Sequence, residues 1–237
     1  MYRRLNEEKT IETISVLNKR IKERFPNSGL NKVCEELIEI AKECKEKAHW
    51  FSKPNYLVRI LVALTILLGL VALFFTANYI KVTTEVFTWG EFIQIVEAGI
   101  NDAILIGAAL LFLVTFEIRL KRKRALMALH ELRAIAHVID MHQLTKDPSK
   151  LVVKQIVTPS SPGVTLTPYE LSRYLDYSSE MLSLVGKIAA IYGENMRDQT
   201  VLAAVNDIEN LTTGLSRKIW QKFILLNRQQ DKIVSVK

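Results

Sequence analysis

Three of the four histidines lie close together and form the one local concentration of side chains that could bind a metal or transfer a proton. On a helix that turns roughly 100° per residue, two of them share one face, within about 80°, with an arginine and an aspartate. We call these four residues the polar seam: His130, Arg133, His137 and Asp140. The third histidine, His142, follows two residues later.

A metal site on the polar seam is the first alternative. It would need His130 or His137 together with Asp140, completed by ligands from another helix. No spacing in the chain is diagnostic of such a site, and no Cys-x-x-Cys pair, P-loop, dinucleotide-binding glycine motif or His-Glu-x-x-His motif occurs. We therefore predict no metal site, no cofactor and no catalytic residue.

A membrane-tethered ribonuclease of the HEPN type is the second alternative, because that class pairs an arginine with a nearby histidine on a helical bundle. The motif of that class has four to six residues between the arginine and the histidine. Here three residues separate Arg133 from His137 and eight separate Arg133 from His142, so neither pair fits the motif. We therefore interpret the polar seam as structural, bonded to acidic residues such as Glu194 or Asp198 within a bundle. Enzyme activity is not expected.

Two long apolar segments must position these residues. Between Arg59 and Lys81 lie twenty-one residues without a charge, enough to cross about 30 Å of hydrocarbon as a helix. The second segment, Ala103–Phe116, reaches that length if Asp102 and Glu117 lie at the two interfaces. The alternative is a helix pair buried in a soluble core. We predict an all-α membrane protein, with a two-span transmembrane hairpin and a cytoplasmic helical bundle.

Charge predicts the orientation of the hairpin. Four basic residues precede the first segment and five follow the second, whereas the connecting loop, about 81–98, holds one Lys against Glu85, Glu91 and Glu97. Because Lys and Arg collect on cytoplasmic flanks, both termini should be cytoplasmic in a multi-pass protein of the cell inner membrane. The first segment begins more than fifty residues into the chain and lacks a small-residue cleavage site, so we do not expect it to be a signal peptide.

The basic cluster after the second segment accounts for much of the formal net charge of +7. We expect its members to bind anionic lipid headgroups, so the positive charge does not point to nucleic acid. These residues are Lys121, Arg122, Lys123 and Arg124.

Polar residues near the start of the second segment are candidates for an ion pathway. They are Asp102, its neighbour Asn101 and the preceding acid Glu97. An intramembrane acid is costly unless it faces water, a partner or headgroups. A ring of such residues in an oligomer would form a cation-selective pore mouth; the alternative is an interfacial acid stabilised by the helix dipole.

Small residues recur every four positions along the same segment, at Gly99, Ala103 and Gly107. Small residues at this spacing let helices pack closely in lipid. We expect them to form a seam, either between copies of a homo-oligomer or within the hairpin.

The chain divides into three predicted regions. Residues 1–53 form N-terminal helices, 3–25 and from Leu30 onward, separated by a Pro26–Gly29 break. Residues 54–124 form the hairpin, in whose loop Thr88–Glu91 fits a capping box opening a short interfacial helix or, alternatively, a re-entrant pore helix.

The third region, residues 125–237, continues the second span as a helix with a core stripe of Ala125, Leu129, Leu132, Ala136 and Ile139. A linker follows at about 145–166, with one candidate strand at 151–157. Thr167 then caps a helix with two apolar seams that Gly193 is expected to end, and a last helix runs from about Asp198 to Asp231.

The layout of the chain resembles that of the SLATT class of two-span bacterial effectors. The shared order is a helix, the run AKECKEKAHWFSKPNYLVRILVALTILLGL, a second span and a basic segment after it. The resemblance covers roughly residues 30–145, and the helices after Thr167 depart from the minimal layout of that class. It implies an oligomer that forms a pore or perturbs the membrane. The alternative is a membrane-tethered scaffold whose bundle binds a cytoplasmic protein.

Overall fold

The structure, a computed structural model, describes residues 4–52, 55–83, 89–148 and 166–235. Those residues form six α-helices and no strand, which confirms the all-α prediction for the described part of the chain. The candidate strand at 151–157, most of the linker and the Thr88 cap lie outside the described residues. The helices are α1 (Glu7–Arg24), α2 (Gly29–Ser52), α3 (Tyr56–Thr83), α4 (Trp89–Leu144), α5 (Pro168–Asn195) and α6 (Gln199–Ser235).

The chain folds into two compact units. We call the first the helical bundle; it consists of Met1–Ser52 and Arg124–Lys237. The second, Lys53–Lys123, is called the apolar unit. The terminal regions predicted as separate therefore share one core, and α4 contributes residues to both units.

Local signals in the sequence set the ends of α1. The Asn6 side chain accepts a hydrogen bond from the Lys9 backbone N–H at 3.0 Å, as an N-cap does. The helix ends before Pro26, and Asn27 adopts a left-handed conformation with a φ of 58° that asparagine tolerates better than most residues. The predicted break between the first two helices is confirmed.

The capping box of α5 is confirmed. The Glu170 backbone N–H donates to the Thr167 hydroxyl at 3.2 Å, and the Thr167 backbone N–H donates to the Glu170 carboxylate at 2.7 Å. Gly193, however, does not end the helix, which continues to Asn195. A Cβ on Gly193 would lie 3.3 Å from the Leu202 Cδ2, so this glycine permits close packing between α5 and α6.

The core of the bundle is built around α5. This helix packs against α1, α2 and α6, and both of its apolar seams are buried, including Leu182 and Ile188, which are 0 % exposed. All five residues of the predicted α4 stripe are also buried in the same core. The wide apolar face of α5 therefore has the multi-helix burial that its sequence predicted.

Two polar contacts complete the bundle around the end of α4. The Lys222 Nζ donates to the Gln143 carbonyl at 2.7 Å and to its side-chain oxygen at 2.6 Å. Burial lowers the pKa of Lys222, while the charges of Asp147 and Asp140 oppose that shift.

His142 packs onto Gly29, where an added Cβ would overlap the imidazole, so this histidine has a packing role.

Both cysteines are buried and free. Ten residues of one helix keep Cys34 and Cys44 about 15 Å apart, which is too far for a disulfide. Burial raises the pKa of each thiol to about 12, so neither is a reactive thiolate at neutral pH.

Candidate membrane-spanning helix and ion pathway

One helix among the described residues, Phe92–Leu144, is long and apolar enough to cross a membrane, by length and composition. A core helix of a soluble protein can pass the same test, but it would be mostly buried. None of the apolar window of this helix is buried inside the structure. In α3 the apolar stretch found over described side chains, Tyr56–Ala72, is shorter than a span. A span formed by α3 therefore stays a prediction.

Large apolar side chains cover the outside of the apolar unit. Phe74 and Phe75 of α3 are 65 % and 69 % exposed, and Leu111 and Phe112 of α4 are 72 % and 67 % exposed. Soluble monomers rarely expose contiguous apolar surface on this scale. This surface and the unburied α4 window indicate membrane association.

Helices α3 and α4 contact each other at two described places. The Asn55 backbone N–H, at the start of α3, donates to the Glu117 carboxylate at 3.2 Å. Further along, Gly69 is buried, and a Cβ added to it would lie 2.6 Å from the Ile106 Cδ1. Because the order of the contacts reverses between the helices, α3 and α4 run antiparallel.

Glu117 joins the end of the apolar segment of α4 to the residue before α3, a role that sequence reasoning missed. Besides the Asn55 contact, its carboxylate pairs with the Lys121 Nζ at 2.9 Å, and both side chains are largely shielded from solvent. An acid four residues before a lysine was the available signal. Lys121 is thus engaged within the chain, whereas Lys123 and Arg124 are exposed, as a contact with headgroups would require.

The three candidate ion-pathway residues divide between two sides of α4, because Asn101 follows Glu97 by four residues and shares its side, whereas Asp102 lies on another. Asp102 is half-buried and precedes Ile106 by four residues, so it shares the side of α4 that contacts α3. Asn101 and Glu97 are exposed, and Glu97 lies about 180° around the helix from Ile106 at roughly 100° per residue. Within one chain the structure does not bring these three side chains together.

The small residues of α4 are open in the single chain. A Cβ added to Gly99 or Gly107 would have no described atom within 4 Å, and Ala103 is exposed. The close contact between α3 and α4 uses Gly69 instead. Gly99 and Gly107 therefore make no close contact with the described atoms, and a seam between copies stays a prediction.

The polar seam lies on the surface of the bundle. His130, Arg133 and His137 are exposed, while Asp140 is half-buried and accepts a hydrogen bond from the Gln143 side-chain amide at 2.5 Å. No group of three His, Cys, Asp or Glu side chains in the described part of the chain could hold a metal ion.

The two acids expected to bond the polar seam have other described partners. The Glu194 carboxylate accepts from the Leu5 backbone N–H at 3.4 Å. Asp198 caps the start of α6 by accepting from the backbone N–H groups of Thr200 and Val201, at 3.0 and 3.2 Å. Their bonding to the polar seam stays a prediction.

Comparisons with protein-family models, with curated proteins and with solved structures each found no match.

Proposed function

We propose that this protein is an oligomeric two-span membrane protein that acts as a channel, a pore or a membrane-perturbing effector. The observation that carries the proposal is the apolar window of α4, none of which is buried. Helix α3 has 28 residues and is about 42 Å long at roughly 1.5 Å per residue, so α3 would form the other span of the hairpin. Under this proposal the helical bundle would serve assembly or sensing.

The proposed topology predicts opposite labelling of two exposed sites. Single cysteines would replace Gly90, where an added Cβ meets no described atom, and Thr145, which is exposed after α4, in a chain with Cys34 and Cys44 changed to Ala. In intact cells an impermeant maleimide should label the Gly90→Cys chain and not the Thr145→Cys chain. Labelling of both after permeabilisation is the control, and labelling of Thr145→Cys in intact cells would exclude cytoplasmic termini.

The proposed pore predicts that Asp102 sets ion selectivity. Asp102→Asn removes a carboxylate without changing the shape of the side chain, so assembly should persist while the preference for cations falls several-fold. The measurements are the mass of the complex in nanodiscs and the reversal potential in planar bilayers. A monomer, or an oligomer that does not conduct, would reject the pore.

Glu97→Gln is the matched comparison, because it neutralises an exposed acid on a different side of the same helix. If Asp102→Asn alone changes selectivity, the pathway follows the side of α4 that bears Asp102. If Glu97→Gln alone does so, the pathway lies on the opposite side of α4, and Asp102 has only a structural role.

A membrane-tethered scaffold that binds a cytoplasmic protein is the second candidate. It is favoured by apolar residues on the surface of the bundle: Trp220 is 62 % exposed and stacks on Phe223 with ring centroids 5.6 Å apart, and Leu225 is 50 % exposed. Tryptophan is enriched where protein interfaces bind most tightly. Under this candidate the apolar unit only anchors the chain.

A further inference from the structure

An open groove of about 430 Å³ lies in the helical bundle, between the last turns of α1 and the first half of α5. Neither helix contributes a residue of the polar seam, and no binding motif in the sequence marks this region. The lining residues are Arg20, Glu23, Arg24, Tyr169, Arg173 and Tyr177. Three guanidinium groups thus share one concave surface with a single carboxylate.

Two of the arginines are held against tyrosine rings. The Arg20 Cζ lies 5.0 Å from the centre of the Tyr177 ring, and the Arg24 Cζ lies 5.1 Å from the centre of the Tyr169 ring. Tyr177 is buried and packs edge-on against Phe25, with ring centroids 6.3 Å apart. Cation–π contacts of this kind orient the guanidinium groups before a ligand arrives, which reduces the entropy lost on binding.

The carboxylates that pair with these arginines are not among the lining residues. Arg20 pairs with Glu180 at 2.9 Å, and Arg173 pairs with Asp176 at 3.1 Å. A guanidinium has five N–H donors, and one carboxylate cannot use them all. The Arg173 Nε is buried and has no hydrogen-bond partner among the described residues. Among those residues Arg24 also forms no ion pair.

We propose that this groove binds the phosphate group of a small phosphorylated molecule. A phosphate monoester, with a charge of about −1.5 to −2 at neutral pH, would accept hydrogen bonds from Arg24 and from the N–H groups that the ion pairs of Arg20 and Arg173 leave unused. The planar guanidinium forks bind phosphate oxygens in pairs. A groove of this volume has room for the organic part of a small ligand as well. The inference concerns the bundle alone and holds whether or not the protein conducts ions.

The test is calorimetric titration of the full chain, in nanodiscs of zwitterionic lipid, with phenyl phosphate and with inorganic phosphate. We expect saturable binding. The dissociation constant should rise about tenfold or more in Arg24→Gln, because the loss of a hydrogen bond to a charged group weakens binding by at least that factor. Arg24→Lys keeps the charge but loses the fork, and should also bind weakly. Arg24 is exposed, so unchanged thermal unfolding without ligand will show that these variants fold.

Lys22→Gln is the matched control, since it removes one positive charge from an exposed position of α1 outside the groove. It should bind as the parent does. Absence of saturable binding, or equal weakening in Lys22→Gln and Arg24→Gln, would overturn the proposal. In discs that contain phosphatidic acid, lost binding of phenyl phosphate would assign the phosphate to a lipid headgroup. Unchanged binding would assign it to a soluble ligand.

Discussion

Leu182→Asp is expected to lower the free energy of unfolding of the helical bundle by more than about 4 kcal/mol, because it buries a carboxylate without a partner. Leu182 is 0 % exposed on α5, the helix that packs against α1, α2 and α6. A small domain has about 5–15 kcal/mol of total stability. The variant should therefore populate a partly unfolded bundle at neutral pH.

The loss of stability in Leu182→Asp should depend on pH in the direction expected for a buried carboxyl group. An apolar site raises the pKa of the new carboxyl in the folded state above its unfolded value of about 3.9. Below that value the group is neutral in both states, and the cost is smaller. Above it the unfolded state is charged and favoured, so the destabilisation should grow as the pH rises.

Leu144→Asp makes the same change at a leucine that is 60 % exposed at the end of α4, and it should leave the bundle intact. The measurement is guanidinium unfolding of the full chain in mild detergent, followed by helical circular dichroism. Equal unfolding midpoints for the Leu182 and Leu144 variants would contradict the burial of α5.

The helices and their buried faces were predictable because the signals for them are local. The Thr167 cap, the Pro26 break and the five-residue stripe of α4 each depend on residues within a few turns of one another. The apolar runs were predictable for the same reason, since an uncharged stretch of sufficient length is visible in the sequence alone.

The contacts between distant segments were not predictable, because an apolar seam shows that a partner is needed but not which one. The buried face of α2, which includes Leu30 and Leu37, could have packed against α1 alone, yet α2 also packs against α5. Gly193 illustrates the same limit: its sequence context suggests a helix end, while its actual role depends on the approach of Leu202 from α6. The arginine groove is likewise assembled from α1 and α5, and neither segment carries a motif for ligand binding.

We expect the same substitution to have different effects at two glycines of the apolar unit, Gly69 and Gly107. In Gly69→Leu the added Cβ alone would lie 2.6 Å from the Ile106 Cδ1. The tip of Ile106 can move aside for one carbon, but the three further carbons of a leucine overpack the contact, at a cost of about 1–3 kcal/mol. The melting temperature in detergent should fall, and Ile106→Ala should restore much of it.

Gly107→Leu should leave the folding of a single chain unchanged, because a Cβ there meets no described atom within 4 Å. If copies associate through the small residues of α4, the leucine separates their helices, and the particle mass measured by light scattering in detergent should fall toward that of a monomer. Gly69→Leu then affects stability, while Gly107→Leu affects assembly. An oligomer that persists in Gly107→Leu with its parent's mass would show that copies meet elsewhere. A pore would then have to be lined by another side of α4 or by α3.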